Sequence, residues 1–168
     1  MNIILCGMMG AGKTTIGIKI AESTTLRWYD TDGLIVDKYG KISDIFEYYG
    51  EAHFRKLETE IVKDLAEKDL LVISTGGGLV LKKENNELLQ KNGKIVFLRA
   101  GIETLVQRLK VDENRPLLQT STETIRDRLA RLLKERTPVY EKSADYIVDV
   151  DGKESEEIAK EILSLCHC

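Results

Sequence analysis

The chain has 168 residues, of which 42% are hydrophobic, and 25 Lys and Arg against 28 Asp and Glu give a formal net charge of −3. This length suits one domain around a single core. The slight acidity argues against the broad basic surface of a general nucleic-acid-binding protein. No apolar run approaches the roughly 20 residues that span a bilayer, and no basic signal-peptide region is present. We therefore expect a globular cytoplasmic protein, a monomer without nucleic-acid or membrane partners.

Short apolar runs alternate along the chain with stretches of helical periodicity. The runs predict strands at 2–6, 27–30, 70–74, 94–98 and 145–149. Near-continuous apolar runs of this kind are typical of buried parallel strands. Helices are predicted at 13–24, 52–67, 101–110, 122–136 and 154–165. The alternation predicts an α/β sandwich around a parallel sheet.

Three features stand apart from this alternation. Residues 31–50 contain short helical pieces that are separated by Gly40 and closed by Gly50, and residues 111–121 are polar. Inserts of this kind often carry function. Pro116 and Pro138 are each expected to interrupt or end a helical pattern.

The first apolar run is followed by Gly-Met-Met-Gly-Ala-Gly-Lys-Thr at residues 7–14, which matches G-x-x-x-x-G-K-[ST]. The glycines let several backbone N–H groups surround an anion, and the helix that follows adds its positive end. Lys13 is predicted to bridge the terminal phosphates of a nucleoside triphosphate, and Thr14 to bind Mg²⁺. A simple strand–helix turn explains neither residue. The predicted phosphate-binding residues are Gly10, Ala11, Gly12, Lys13, Thr14 and, unless it only belongs to the helix, Thr15.

Two acidic residues follow the second predicted strand. Asp30 and Asp32 lie two positions apart, so on an extended segment both side chains would face the same way. One carboxylate would then support a metal ion and the other a substrate hydroxyl. The alternative is a solvated turn or a helix N-cap.

Further charged and glycine residues bear on the second substrate. Arg55 and Glu58 can pair on the polar side of a helix. The triplet Gly76–Gly78 follows a buried strand, at the sheet edge where ligands of open α/β sheets bind. Arg115 and Arg136 lie next to or near a proline. Taken singly, these features also fit a surface ion pair, a flexible turn and ordinary surface charges.

Taken in order, the motifs GMMGAGKTT, DTD, FRKLE, the glycine triplet, RPLL and ERTPVY resemble those of shikimate kinase over essentially the whole chain. The resemblance implies a three-layer α/β/α sandwich around a five-stranded parallel sheet, the nucleoside monophosphate kinase type of P-loop fold. It implies a single domain over 1–168, with a substrate-binding insert at about 31–60 and a lid at about 110–122.

For the nucleotide, the resemblance implies that Lys13 and Thr14 hold the phosphates of ATP together with Mg²⁺. Asp30 would support the metal ion through its water shell. Arg108 would lie against adenine, and Arg115, on the lid, would swing over the phosphoryl group in transfer.

For the acceptor, the resemblance implies that Asp32 binds ring hydroxyls of shikimate and orients the attacking one. Arg55 and Arg136 would clamp the carboxylate of shikimate, and Gly77 and Gly78 would add backbone contacts. The implied reaction is ATP-dependent phosphorylation of the 3-hydroxyl, which yields ADP and shikimate 3-phosphate in chorismate and aromatic amino-acid biosynthesis.

Other functions fit the sequence less well. Gluconate kinases usually carry a His soon after the acidic pair, whereas here the first His is His53. Nucleotide-accepting kinases need a nucleobase pocket, of which no sign is visible. A catalytically silent descendant would normally have lost a catalytic residue. The tail Cys166-His167-Cys168 either binds a soft metal or is a frayed terminus.

Overall fold

The computed structural model of the chain describes residues 1–110 and 124–168, and within these ranges it contains one parallel sheet of five strands. The strands are β1 (Asn2–Cys6), β2 (Arg27–Asp30), β3 (Leu71–Ser74), β4 (Gly93–Arg99) and β5 (Tyr146–Asp149). Their order across the sheet is β2-β3-β1-β4-β5, and every pair is parallel. Each predicted strand is confirmed to within one residue at either end.

Helices connect the strands and cover both faces of the sheet. They are α1 (Lys13–Ser23), α2 (Thr31–Tyr39), α3 (Ile42–Tyr49), α4 (Glu51–Ala66), α5 (Lys83–Gln90), α6 (Ile102–Lys110), α7 (Ile125–Ser143) and α8 (Ser155–Cys166). Ile3 and Ile4 point to opposite faces of β1, and both side chains are fully buried. The predicted three-layer architecture is therefore confirmed.

The segment between β2 and α4 folds into two short helices, as its glycines predict. Helix α2 ends at Gly40 with a φ of 96°, and α3 ends at Gly50 with a φ of 83°. Glycine reaches this left-handed region without steric cost and so stops a helix. Helices α2, α3 and α4 pack on one another beside the edge strand β2.

The fourth predicted helix, at 122–136, is present as α7, but its predicted C-terminal end was wrong. Helix α7 does not end at Pro138 but continues to Ser143. Proline removes one backbone hydrogen bond of the helix, but the turn beyond it is held by the fully buried ring of Tyr140, which packs on Phe97 with 5.0 Å between ring centroids. Tertiary packing thus outweighs the local helix-breaking tendency.

The sequence analysis also missed two elements, a 3₁₀ turn at Leu79–Leu81 and helix α5. Two asparagines in the first half of α5 donate their side-chain amides to the carbonyls of Leu79 and Val80. These bonds join the turn to the helix. None of the helices in the described ranges combines the length and apolar character needed to cross a bilayer.

Candidate active site

The glycine loop lies between β1 and α1 and wraps around the amino group of Lys13. Gly10 and Gly12 have φ values of 85° and 97°, which side chains disfavour. The Lys13 Nζ donates hydrogen bonds to the carbonyl oxygens of Gly7, over 2.7 Å, and Met8, over 2.9 Å. The ammonium group therefore lies at the loop that the motif assigns to phosphate.

Asp30 joins the first turn of α1 to the start of α2. Its Oδ2 accepts a hydrogen bond from the Thr14 hydroxyl over 3.2 Å, and its Oδ1 caps α2 by accepting from the Gly33 N–H over 3.1 Å. A hydroxyl and a carboxylate oxygen side by side are the hard oxygen donors that Mg²⁺ prefers. The pair Thr14 and Asp30 therefore fits the predicted metal site.

Asp30 and Asp32 do not share one face of an extended segment, whereas the alternative expected for this pair, a helix N-cap, is confirmed for Asp30. Asp30 is the last residue of β2, whereas Asp32 lies in the first turn of α2. The helix starts as early as Thr31 because the Asp30 carboxylate caps it. The two carboxylates are therefore directed to different partners: Asp30 to Thr14, and Asp32 to the loop after β3.

The triplet Gly76–Gly78 forms that loop, and each of its glycines leaves room for a charged side chain, Gly76 for two. A Cβ on the first glycine would lie 2.7 Å from Asp32 Oδ1, and one on the second would lie 3.1 Å from Arg136 Nη1. A Cβ on the third would lie 2.6 Å from Arg55 Cζ. The triplet thus brings the carboxylates of Asp32 and Glu58 and two guanidinium groups together from α2, α4 and α7.

Two buried side chains hold this triplet in place. The hydroxyl of Thr31 accepts a hydrogen bond from the Gly76 N–H over 2.9 Å, and the hydroxyl of Tyr140 donates one to the Gly77 carbonyl over 2.5 Å. Burial raises the pKa of Tyr140 to about 12 against the opposing charge of Arg136, so the phenol remains a donor. Neither Thr31 nor Tyr140 was assigned a role from the sequence.

Arg55 and Glu58 form the predicted pair, with 2.6 Å between Nη1 and Oε1. Their expected position on a polar helix face was wrong for Glu58, whose side chain is only 1% exposed. Burial raises the pKa of Glu58, although the charge of Arg55 opposes this shift. Glu58 Oε2 has no hydrogen-bond partner among the described residues. The pair orients the Arg55 guanidinium beside the triplet.

The charged side chains described above and the glycine triplet line one cleft of about 730 Å³. Its acceptor end is lined by Asp32, Arg55, Arg136, the glycine triplet and the rings of Phe46 and Phe54, and its other end by Thr15, Ile16, Arg108, Ser155 and Ile158. Arg108 donates a hydrogen bond to the Gly10 carbonyl over 3.1 Å, so its guanidinium lies at the phosphate loop. Arg115 and Pro116 lie outside the described residues.

The Cys-His-Cys tail belongs to the end of α8. Cys166 is buried as the last residue of the helix, and the Cys168 N–H donates to the Leu163 carbonyl over 3.0 Å. The tail is therefore a helix cap, and the expected frayed terminus was wrong. Among the residues that the structure describes, no group of three or more His, Cys, Asp or Glu side chains is suited to hold a metal ion.

A phosphate loop after the central strand of a sheet ordered 2-3-1-4-5, with a charged pocket facing it, defines a P-loop kinase of the nucleoside monophosphate kinase type. Comparison with known proteins narrows this class. The family model described as "Shikimate kinase" matches residues 9–167. The chain is therefore an enzyme that belongs to the shikimate kinase family.

Individual relatives agree with this assignment. A shikimate kinase of Methylococcus capsulatus is 42% identical over 164 residues, which cover 97% of this chain and 90% of the relative. The solved shikimate kinase of Acinetobacter baumannii, in complex with shikimate, has a TM-score of 0.90 and 39% identity. That match covers 98% of this chain and 91% of the other. A shikimate kinase structure from Bacteroides thetaiotaomicron also has a TM-score of 0.90, at 33% identity and with 99% and 98% of the two chains covered.

Proposed function

We propose that this chain transfers the terminal phosphoryl group of ATP to the 3-hydroxyl of shikimate, which yields ADP and shikimate 3-phosphate. One observation carries the proposal: Asp32, Arg55 and Arg136 meet at the glycine triplet and face the phosphate loop across a single cleft. The solved shikimate complex of a relative with 39% identity supports the choice of acceptor. The product serves chorismate and aromatic amino-acid biosynthesis.

The acceptor pocket matches the chemistry of a small hydroxylated acid. Two guanidinium groups suit one carboxylate, because each can donate two parallel hydrogen bonds to it. A carboxylate such as Asp32 accepts hydrogen bonds from neighbouring hydroxyls. We therefore propose that Arg55 and Arg136 bind the shikimate carboxylate and that Asp32 orients the 3-hydroxyl towards the phosphate loop. The N–H groups of Gly77 and Gly78 complete the pocket.

In the proposed reaction, the 3-oxygen of shikimate forms a bond to the γ-phosphorus while the bond from that phosphorus to the β–γ bridging oxygen breaks. The hydroxyl proton leaves to Asp32 or to solvent, and ADP departs with the bridging oxygen. Such a transfer requires mainly positioning and cationic stabilisation of the charge on the phosphoryl group. We assign this stabilisation to Lys13 and to Arg115.

Nucleotide binding is assigned to the other half of the cleft. The N–H groups of residues 10–15 surround the phosphates, Arg108 lies on the adenine side, and Thr14 and Asp30 hold Mg²⁺. When bound, Mg²⁺ would neutralise charge on the phosphates. The adjacency of the Thr14 hydroxyl and the Asp30 carboxylate supports this assignment.

We further propose that residues 1–168 act as one domain, with an acceptor-binding insert at about 31–60 and a lid at about 110–122. The protein would work as a cytoplasmic monomer without nucleic-acid or membrane partners. The net charge of −3 supports the absence of a nucleic-acid partner. The three free cysteines are typical of a reducing compartment.

The test is ADP release from ATP and Mg²⁺ by the purified protein, with shikimate, with gluconate and with neither acceptor. Release that requires shikimate is the expected result. Release with gluconate alone would overturn the acceptor and keep the kinase class. ATP binding without release in either case would indicate a catalytically silent module.

A further inference from the structure

One face of the edge strand β2 is linked to two consecutive residues at the start of α1, directly to Thr14 and through Ser74 of β3 to Lys13. Asp30 on this face accepts the hydroxyl hydrogen bond of Thr14. Trp28 lies on the same face, because side chains two positions apart in a strand point the same way. Its indole N–H donates to Ser74 Oγ over 3.0 Å, and the Ser74 hydroxyl donates to the Lys13 carbonyl over 2.7 Å. A chain of two hydrogen bonds therefore links the indole to the backbone of the phosphate-loop lysine.

Gly17 provides an independent sign that this chain of hydrogen bonds is built into the fold. A Cβ at this position would lie 2.7 Å from the Ser74 Oγ and 2.7 Å from the Trp28 Nε1. Gly17 is buried inside α1, one turn after Lys13, where glycine is less favourable than alanine. Its missing side chain is what lets the indole and the hydroxyl approach the helix.

Ser74 is suited to transmit the position of the indole. It ends β3 at the level of Asp30 in the neighbouring strand, and it is 1% exposed. Its hydroxyl accepts the hydrogen bond from the Trp28 indole and donates the one to the Lys13 carbonyl. A buried hydroxyl with both bonds made has a single favourable orientation, and loss of either partner leaves a costly unsatisfied group.

We infer that Trp28, acting through Ser74, is a positioning residue for the phosphate loop. It holds the main chain of Lys13 so that Thr14 remains beside Asp30. Trp28 itself touches no reacting atom in this arrangement. The inference rests on the proposed use of ATP but not on shikimate as the acceptor.

The test measures binding of Mg-ADP and of shikimate separately, by calorimetry on the full chain. Trp28→Phe removes the donor, and Ser74→Ala removes the relay while keeping the indole. Each change is expected to weaken Mg-ADP binding about 3- to 10-fold, the effect of one neutral hydrogen bond, and to leave shikimate binding unchanged. The double variant is expected to lose no more than either single variant, because both remove the same chain of bonds.

Tyr29→Phe is the matched control. Tyr29 is the next residue of β2, its side chain points to the opposite face of the strand, and the substitution also removes one polar atom from an aromatic ring. Wild-type affinity for Mg-ADP is expected. This control separates the position of Trp28 from a general effect of changing an aromatic residue in the strand.

A spectroscopic readout follows from the composition. Trp28 is the one tryptophan of the chain, so all tryptophan emission comes from the indole that donates to Ser74. Ser74→Ala is expected to shift the emission maximum and to reduce the change in emission that Mg-ADP causes in the wild type. A role limited to fold stability would leave the Mg-ADP response unaltered in the folded variant.

Wild-type Mg-ADP affinity in both variants would overturn the inference, and so would equal losses of Mg-ADP and shikimate affinity, which indicate general loosening. If Trp28→Phe does not fold, Ser74→Ala and its emission decide. The proposed acceptor is tested separately, by turnover of the wild type with shikimate. If that turnover is absent but the two variants lose Mg-ADP affinity selectively, the inference is supported and only the acceptor is rejected.

Discussion

The two halves of the cleft are built in different ways. The phosphate half consists of consecutive residues, 7–15. We propose that its backbone N–H groups and first helical turn bind the phosphates, while the carbonyls of Gly7 and Met8 hold the Lys13 ammonium group. The acceptor half consists of side chains that come from α2, α4 and α7 and meet around a loop after β3. The first half is a local structure and the second is a product of long-range packing. A local motif therefore defines the class of enzyme, whereas the proposed acceptor pocket depends on residues that are far apart in the chain.

The largest effect is expected from a residue that belongs to neither half. Arg115→Ala should lower kcat about 10³-fold or more while the affinities for ATP and shikimate stay close to wild type, because the cation acts on the phosphoryl group in transfer. Steady-state kinetics and equilibrium binding measure the two effects separately. Arg126→Ala, which removes an exposed ion pair with Glu103, is the control. A small loss of turnover would reject the role of Arg115.

Asp32→Asn tests the acceptor half at the reacting hydroxyl. A fall in kcat of about 10²- to 10⁴-fold is expected, the range for a group that assists proton transfer, with unchanged Mg-ATP binding. Asp37→Asn, on an exposed position of the same helix, is the matched control. If Asp32 is a true base, the acidic limb of the pH–rate profile disappears in the variant. A parallel loss of Mg-ATP binding would contradict the separation of the two halves.

Arg136→Ala should act mainly on the binding of shikimate. Loss of charge-assisted hydrogen bonds to a carboxylate is expected to raise the KM for shikimate about 10- to 100-fold, with the KM for ATP unchanged. Arg136→Lys should recover only part of this affinity, since an ammonium group lacks the bidentate geometry. An unchanged KM for shikimate in the alanine variant would remove Arg136 from the proposed clamp.

Gly78→Ala tests whether the triplet makes room for the clamp. Its Cβ would lie 2.6 Å from Arg55 Cζ, so the guanidinium must move away from Glu58. We expect about 10-fold weaker binding of shikimate, as for the loss of one charge-assisted contact. Gly33→Ala is the matched control, because the nearest atom to its Cβ lies 3.7 Å away. Equal effects of the two substitutions on shikimate binding would contradict the arrangement.

The smallest expected effect is on stability. Burial raises the pKa of Glu58 above its ordinary value of 4.5, against the pull of Arg55. The folded chain then holds this proton more tightly than the unfolded chain, so the free energy of unfolding falls as pH rises from about 4.5 to the raised pKa. Glu58→Gln lacks this contribution. We therefore expect the free energy of unfolding of Glu58→Gln, relative to that of the wild type, to rise with pH across this window and to stay constant above it. Urea unfolding at successive pH values measures this difference.

The control for this measurement is Glu60→Gln, an exposed position on the same helix. A stability difference between wild type and Glu58→Gln that does not change with pH would contradict the raised pKa. The same variant, Glu58→Gln, also tests whether the two halves of the cleft are independent. Glu58 supports only the acceptor side, so its loss should leave the affinity for Mg-ATP unchanged.

Much of the fold was predictable because its signals are local. Five apolar runs predicted the five strands, and Gly40 and Gly50 predicted the ends of α2 and α3. The errors lie where tertiary contacts override local preference. Helix α7 passes Pro138 because Tyr140 is anchored in the core, and α5 is joined to a 3₁₀ turn by asparagine amides that carry no periodic signal.

The sequence alone determined the order of the five strands along the chain, the parallel sheet they form and the phosphate loop, because each depends on signals from neighbouring positions. Only the tertiary structure decided that Asp30 turns to Thr14 while Asp32 turns to the glycine triplet. It also decided that Glu58 is buried and that Trp28 reaches the Lys13 backbone through Ser74. These arrangements depend on side chains from distant segments meeting in three dimensions, for which no spacing along the chain provides a signal.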